Sequence, residues 1–342
     1  MSRFACSYRV LAESPLDVIS FEECLVRYWR GNNAILLFYV NPPSVIIGRN
    51  QNYWREVAPN CMVPVFRRAS GGGAVYHDLG NLNWSLIVPR GLHSKEEELC
   101  LIAKAISKLG VYTHIGSRGE IFVLMGDGET EAKISGTARY FGTHNVLHHG
   151  TLLVSSDLKN LHACLGGIKV LEDNSIASVR ATPVNLIHLI PSLSVYDAMS
   201  RLSLELAGMN PYEIKLTEFW NSHVSCLDIA LRNLGESESD LASFINPEDF
   251  EVFKAQFGST EWIKYRSPAF SILLSSNNNK RIVLRIEEGR VSDILPFEPN
   301  DLQAVDLAAH LKMRFTGLQF DFDTVEMISR IGPPNLLTLR KY

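Results

Sequence analysis

The stretch RRASGGGAVYHDLGNLN, Arg67–Asn83, sets three consecutive glycines between two arginines and a His-Asp pair. Glycine adopts positive φ at little steric cost, so Ser70–Gly73 can be read as a tight turn between two strands. The flanking Arg67, Arg68, His77 and Asp78 concentrate more charge than a hairpin requires. A loop of bare N–H groups beside guanidinium groups suits a phosphate or a carboxylate. The chain contains no GxxxxGK[ST] loop, and these glycines do not form a GxGxxG fingerprint, so a nucleotide would be held in some other way.

Working outward, β-rich runs precede the loop: AILLFYV (Ala34–Val40), SVIIG (Ser44–Gly48) and MVPVF (Met62–Phe66). Before them, DVISFEECLVRYW predicts a helix with Asp17 as its cap. After the loop, Ser94 and Glu97 form a capping box, and Leu99, Ile102, Ala103, Ile106 and Leu109 recur at helical spacing up to Gly110. IFVLMGDGETEAKISGTARY reads as a strand, an acidic turn (Gly126–Glu131) and an extended segment carrying Lys133; VLHHGTLLVSS reads as a further strand. GESESD, Gly235–Asp240, reads as a connector. RIVLRIEEGRVSDILPF alternates about Glu288-Gly289 like a hairpin, and two amphipathic helices follow, DLQAVDLAAHLKMRF and FDTVEMISRI. The expected class is α+β: a large domain, residues 1–246, with a mixed β-sheet and flanking helices, and a small α+β C-terminal domain, residues 247–342.

A chain of 342 residues with 46% hydrophobic content can bury a substantial core. Its net charge of −4 and pI near 6.2 offer no basic footprint for a nucleic acid. The apolar runs are shorter than the roughly 18 residues that span a bilayer, and the amino-terminal segment lacks the apolar region of a secretory signal, so no membrane partner is expected. Six scattered cysteines without a CxxC pair fit a reducing compartment, cytoplasmic or mitochondrial matrix. With no heptad pattern, a monomer is expected.

Lys133, in KISGTARY, precedes Gly136, a pairing that would aim an ammonium along a backbone open to a ligand; a lone lysine is otherwise a surface charge. His148 and His149 open an apolar strand, where the plainer reading is one exposed and one satisfied core histidine. His144 and His148 have HxxxH spacing but neither helical context nor a nearby cysteine to support zinc.

Taken in order, RRASGGGAVYHDLGNLN, KISGTARY and HHGTLL resemble the lipoate-protein ligase A family. The resemblance extends to SVIIGRNQNYWREV (Ser44–Val57), to SIASVRATPVNL (Ser175–Leu186), which is similar to the family's adenylate-covering loop, and to TEWIKYRSPAF (Thr260–Phe270), similar to the start of its small C-terminal domain. It implies the biotin/lipoate protein ligase fold and a two-step reaction. Lipoate and MgATP give lipoyl-AMP and pyrophosphate, and a lysine of a carrier domain then takes the acyl group as an amide. The implied partners are the lipoyl domains of 2-oxoacid dehydrogenase E2 subunits and the glycine cleavage H protein, with no tightly bound cofactor. The resemblance also assigns adenylate contacts to Arg68, Gly73, Ala74, Val75, Tyr76, Lys133 and Arg180, and lipoate contacts to Ser70, Gly71, Gly72, His77, Lys133, Gly136, Arg139 and His149. Lys133 would lie between the lipoyl carbonyl and the α-phosphate, offsetting charge in both transition states. Gly166–Leu186 is expected to order over the ligand as a lid.

One position departs from the family. Where the family carries an Asn-Asp pair, this chain has Gly119-Glu120; glycine has no amide to donate, and glutamate sets its carboxylate one methylene further out as a candidate Mg contact. Two alternatives stay open: a lipoyl or octanoyl transferase working from preformed lipoyl-AMP or through a thioester on Cys164, and a noncatalytic homologue that binds lipoyl domains. Retention of Lys133 speaks against the second, and a buried apolar cysteine is the plainer reading of Cys164.

Overall fold

The computed structural model describes residues 4–125, 128, 130–179, 181–219, 246–275 and 281–331. Arg180, half of the acidic turn (126, 127 and 129) and the 235–240 connector lie outside these residues. Along the chain run β1 (Phe4–Leu11), α1 (Pro15–Tyr28), β2 (Ala34–Tyr39), β3 (Ser44–Ile47), α2 (Tyr53–Glu56), β4 (Val65–Arg67), β5 (Val75–His77), β6 (Asn81–Pro89), α3 (Lys95–Ser107), β7 (Thr113–Ile115), β8 (Ile121–Leu124), β9 (Glu131–Ser135), β10 (Thr137–Phe141) and β11 (Asn145–Leu153). There follow α4 (Leu158–Cys164), β12 (Glu172–Asp173), α5 (Val195–Ala207), β13 (Tyr212–Lys215), α6 (Leu216–Phe219), α7 (Pro247–Gly258), β14 (Phe270–Ser275), β15 (Arg281–Glu287), β16 (Arg290–Pro296), α8 (Leu302–Phe315) and α9 (Phe322–Ile331).

Two helix starts differ from expectation in their chemistry. Ser14 caps α1, and Asp17 is the third helical residue, its carboxylate accepting from the Ser14 N–H; Pro15 occupies the first position, where its missing N–H costs nothing. Ser94 caps α3 by accepting from Glu97 N–H, but the return bond to Ser94 N–H comes from Glu98, not Glu97. Glu98 is fully buried and also takes His148.

The principal sheet is mixed, in the order β10-β11-β6-β2-β1-β13, with β1 parallel to β2 and β13 and the other neighbours antiparallel. Side chains alternate between its faces. Leu82, Trp84 and Leu86 of β6 join a core with Ile102 and Ile106 of α3 and Met199 and Leu202 of α5. Ser85, between them, points the other way and meets Glu22 of α1. A sheet covered on both sides needs apolar residues on both, and all six residues of β2 are buried. Two three-stranded sheets, β4-β3-β5 and β7-β8-β9, and a four-stranded sheet, β12-β14-β15-β16, complete the α+β arrangement among the described residues.

The chain divides into two compact units: residues 1–49, 63–162 and 179–258, and residues 50–62, 163–178 and 259–342. The division differs from a single break at 246 for two reasons. Helix α7 belongs with α1, where the Arg27 guanidinium lies 4.7 Å from the Phe253 ring centre and Lys254 pairs with Asp17 at 2.7 Å. Segments 50–62 and 163–178 pair with each other, through Gly167 N–H to the Arg55 carbonyl (2.7 Å) and Ile168 N–H to that of Trp54 (2.8 Å). Trp54 and Ile168 enter the core of the second unit beside Phe270, Leu284, Leu311 and Phe320. The hairpin β15-β16 turns on Glu288 (φ 50°) and Gly289 (φ 70°), the left-handed pair a two-residue turn requires. Gly166–Leu186 therefore does not behave as one segment: residues 166–178 belong to the second unit, while Thr182 and Val184 bond to the Lys133 backbone in the first.

Candidate active site

The triple-glycine loop crosses the end of β3, because β4 before it and β5 after it both pair with that strand. Its course is fixed by Arg68 N–H to the Ile47 carbonyl (3.1 Å) and by Arg49 N–H to the Ser70 carbonyl (2.8 Å). Main chain then lies on main chain: a Cβ placed on Gly48 would sit 2.2 Å from the Gly72 carbonyl oxygen. Gly72 has φ 84° and faces Arg68 Nη2 and the Ala138 Cβ of β10, so glycine is required there by backbone and by space. Gly71 is different, since a Cβ there would meet nothing within 4 Å.

Arg68 is buried inside the loop it precedes. Its Nε donates to Ser70 Oγ (2.9 Å), Nη1 to the Ile46 carbonyl (3.1 Å), and Nη2 to the carbonyls of Gly71 (2.6 Å) and Gly73 (2.8 Å). Burial pushes its guanidinium down to about 10, against the opposing field of Glu22. Arg67 is similarly enclosed, donating to the carbonyls of Gly48 and Arg49. Ser70 Oγ lies 2.7 Å from His149 Nε2, and His149 Nδ1 lies 3.4 Å from the Glu22 carboxylate. Glu22 also accepts from Tyr39 Oη (3.0 Å) and from Ser85 Oγ. His77 accepts from Asn41 Nδ2 at Nδ1 (3.0 Å), and burial beside Arg68 and His149 pushes it down to about 3, so it is neutral with its remaining ring N–H as a donor. Asp78 closes the turn, accepting from Gly80 and Asp157 N–H.

Lys133 is in β9, between the buried Ala132 and Ile134. Its Cε and Nζ lie 3.5 Å from where a Gly136 Cβ would be. Gly136 leads into Thr137 and Ala138, the residues against which Gly72 packs, so the ammonium and the glycine loop flank one short stretch of chain. Burial lowers the Lys133 pKa, partly offset by Glu120, while Arg118 adds to the lowering. Glu120 closes the turn before β8, where its carboxylate accepts from Arg118 N–H (3.1 Å). Gly119 has φ 99°, and a Cβ there would lie 2.8 Å from Thr137 Oγ1. The departure from Asn-Asp thus falls on a position whose backbone and surroundings call for glycine.

The predicted residues separate by face. Ser70, Gly72, His77 and His149 gather with Arg68 on the α1 side of the principal sheet; Gly73, Ala74 and Val75 are half-buried, and Tyr76 is buried. Arg139 pairs across the ladder with His148, lies 5.6 Å from the Phe141 ring and faces α3 instead. His148 is bonded to Glu98 at 2.7 Å; although burial pushes the Glu98 carboxyl up, this bond and the nearby histidines hold it below the usual range. Both HHG histidines are buried, whereas the plainer reading left one exposed. Cys164 is buried, and burial together with Cys61 pushes its thiol up to about 12. Glu22, Tyr39, Asn41 and Ser85 escaped the sequence reading. The available signal was Glu22 itself, a carboxylate among Val18, Phe21 and Leu25 on the buried side of α1.

A glycine loop held from inside by its own arginine, with a half-buried lysine near it in a mixed α+β fold, is an arrangement of donors and positive charge suited to an anionic group. The family model of the lipoyl protein ligase A/B catalytic domain matches residues 14–207, more than half of the chain, and the protein belongs to that family. Its fold is similar to that of P. falciparum LipL1, solved in complex with lipoate (20% identity, 95% of this chain and 94% of that one, TM-score 0.57). It is also similar to a bi-partite lipoate protein ligase from Thermoplasma acidophilum, studied with its E2 lipoyl domain (23% identity, 75% and 96%, TM-score 0.53). A lipoate-protein ligase A bound with ATP matches at 21% identity over 75% and 98% of the two chains, with TM-score 0.50. Among the described residues no helix is long and apolar enough to cross a membrane.

Proposed function

We propose that this protein is an ATP-dependent lipoate-protein ligase: it activates lipoate to lipoyl-AMP and passes the lipoyl group to a lysine of a lipoyl domain. The observation that carries the reading is the Lys133 ammonium beside Gly136, on the stretch of chain that also supports the glycine loop. The carboxylate oxygen attacks the α-phosphorus directly, so the protein's work is to position and neutralise rather than to supply a nucleophile. Lys133 offsets charge on the lipoyl carbonyl and α-phosphate, and the free N–H of neutral His77 and the open main chain at Gly71 serve the ligand. Arg68 acts from behind, giving the loop its shape. MgATP enters as substrate, with the Glu120 carboxylate, a hard oxygen donor, as the candidate Mg contact. Arg180 remains a proposed contact on the strength of the resemblance alone, while Arg139, on the α3 side with His148, is not proposed as one. Lipoyl domains of E2 subunits and the glycine cleavage H protein are the proposed acceptors; residues 1–246, less segments 50–62 and 163–178, form the proposed catalytic part and those segments with 259–342 the accessory one, working as a monomer in the cytoplasm or mitochondrial matrix.

A thioester route through Cys164 is disfavoured, because a nucleophilic cysteine needs a lowered thiol pKa and this one is raised. Transfer from preformed lipoyl-AMP remains the second reading, motivated by Gly119-Glu120 in place of Asn-Asp. Both are tested by incubating the protein with lipoate and MgATP, following pyrophosphate release, and then following label on a lipoyl-domain lysine. Release and labelling are expected, with Lys133→Ala reducing the rate on the order of 10²- to 10³-fold. Labelling from supplied lipoyl-AMP without pyrophosphate release selects the second reading, and full turnover by a folded Lys133→Ala variant rejects the role of Lys133.

A further inference from the structure

We propose that Glu22, on α1, is a positioning residue that sets the shape of the triple-glycine loop through His149 and Ser70; the inference rests on the reading of that loop as the acyl-adenylate site. The argument is one of donors and acceptors. The Glu22 carboxylate only accepts, and Tyr39, Ser85 and His149 surround it as donors. His149 therefore presents Nδ1–H to Glu22 and leaves Nε2 bare. The group 2.7 Å from that bare nitrogen is Ser70 Oγ, which must donate to it. Ser70 oxygen is then free to accept from Arg68 Nε, which can only donate. Arg68 turns its remaining donors onto the carbonyls of Gly71 and Gly73.

From Arg68 through Ser70 and His149 to Glu22 every bond thus runs in one sense, toward a carboxylate that can only accept. Arg68, Ser70, His149, Glu22, Tyr39 and Ser85 are all buried, so none can substitute water for a lost partner without a cost. Glu22 also supplies a negative field felt by the enclosed Arg68. The Ser-His-Glu order is that of a hydrolase triad, but Ser70 is fully buried and its oxygen takes an arginine N–H, which suits a strut rather than a nucleophile.

Replacing Glu22 by glutamine tests the sense of the relay. An amide that accepts from Tyr39 and Ser85 turns its N–H toward His149 Nδ1, forcing the proton to Nε2; Ser70 then receives two donors and its own hydrogen loses its acceptor. Nitrogen NMR of labelled histidine is expected to find the Nδ1–H tautomer of His149 in the unmodified protein and the Nε2–H tautomer in Glu22→Gln. Glu22→Gln and Ser70→Ala are each expected to raise the KM for lipoate about tenfold, about 1.4 kcal/mol, with kcat nearly unchanged, and the double variant to be no worse than either. An Nε2–H tautomer in the unmodified protein, or additive losses, would overturn the relay. If Glu22→Gln does not fold, the tautomer of the unmodified protein and the displacement of the Gly71–Gly73 amide signals in Ser70→Ala decide the matter. A protein that neither binds lipoate nor releases pyrophosphate rejects the proposed function, and the tautomer and amide signals still decide the relay.

Discussion

At Lys133 the proposed chemistry and the demands of folding oppose each other. Burial holds the pKa of this ammonium below its unfolded value of 10.5. Between the two values the unfolded chain binds the extra proton, so stability rises with pH through that window and the cost of the charge is complete below it. Lys133→Met is therefore expected to melt at neutral pH no lower than the unsubstituted protein, a comparison made by calorimetry, and to lose that advantage toward pH 10.5. In kcat/KM for pyrophosphate release, the same lowered pKa predicts an alkaline limb with its midpoint below 10.5. The glycines of the loop offer a second contrast between neighbours. Gly72→Ala places a side chain at φ 84° against Arg68 and Ala138 and is expected to destabilise by about 1–2 kcal/mol in denaturant titrations. Gly71→Ala meets no protein atom, so its stability should change little while lipoate or ATP binds at least tenfold more weakly; unchanged affinity would remove Gly71 from the site.

Among the elements, α2 shows how little a short helix holds by itself. Four residues cannot repay helix nucleation, yet Tyr53–Glu56 is helical because Trp54 is gripped by Phe270, at 5.6 Å between ring centres, and by Phe320, at 5.1 Å. Trp54→Ala is expected to cost about 3–5 kcal/mol, read from the unfolding transition of the full chain. Strand β11 makes the complementary point. Its adjacent histidines serve opposite sides, His148 bonding to Glu98 of α3 and His149 to Glu22 of α1, because successive strand residues point to opposite faces. The HHG sequence made two histidines conspicuous, and the sheet gave them different work.

Across the whole molecule, the interleaving of segments 50–62 and 163–178 with residues 259–342 governs what can be removed. A chain shortened to residues 1–246 loses the partners of Trp54 and Ile168 and also the α7 helix that covers α1. Such a chain is expected to be aggregated or poorly folded, judged by gel filtration and near-ultraviolet circular dichroism; a well-folded monomer of 1–246 would contradict this dependence. Family membership and fold agree on one architecture, α+β with a mixed principal sheet.

The strands around the glycine loop, the α3 helix, the β15-β16 hairpin and the prominence of Lys133 were all legible in the amino-acid order, because periodicity, capping and turn chemistry act over a few residues. Tertiary structure alone decided that Arg68 braces the loop from within, that Arg139 faces away from it, that Glu98 rather than Glu97 completes the α3 cap, and that Glu22 stands behind the site. Those outcomes depend on contacts such as Ser70 with His149, 79 residues apart, and His149 with Glu22, 127 apart. Hydrophobic pattern says that a residue is buried; only the packing of distant strands says against what, and it is the identity of the buried partner that fixes a proton on one atom and the shape of a loop.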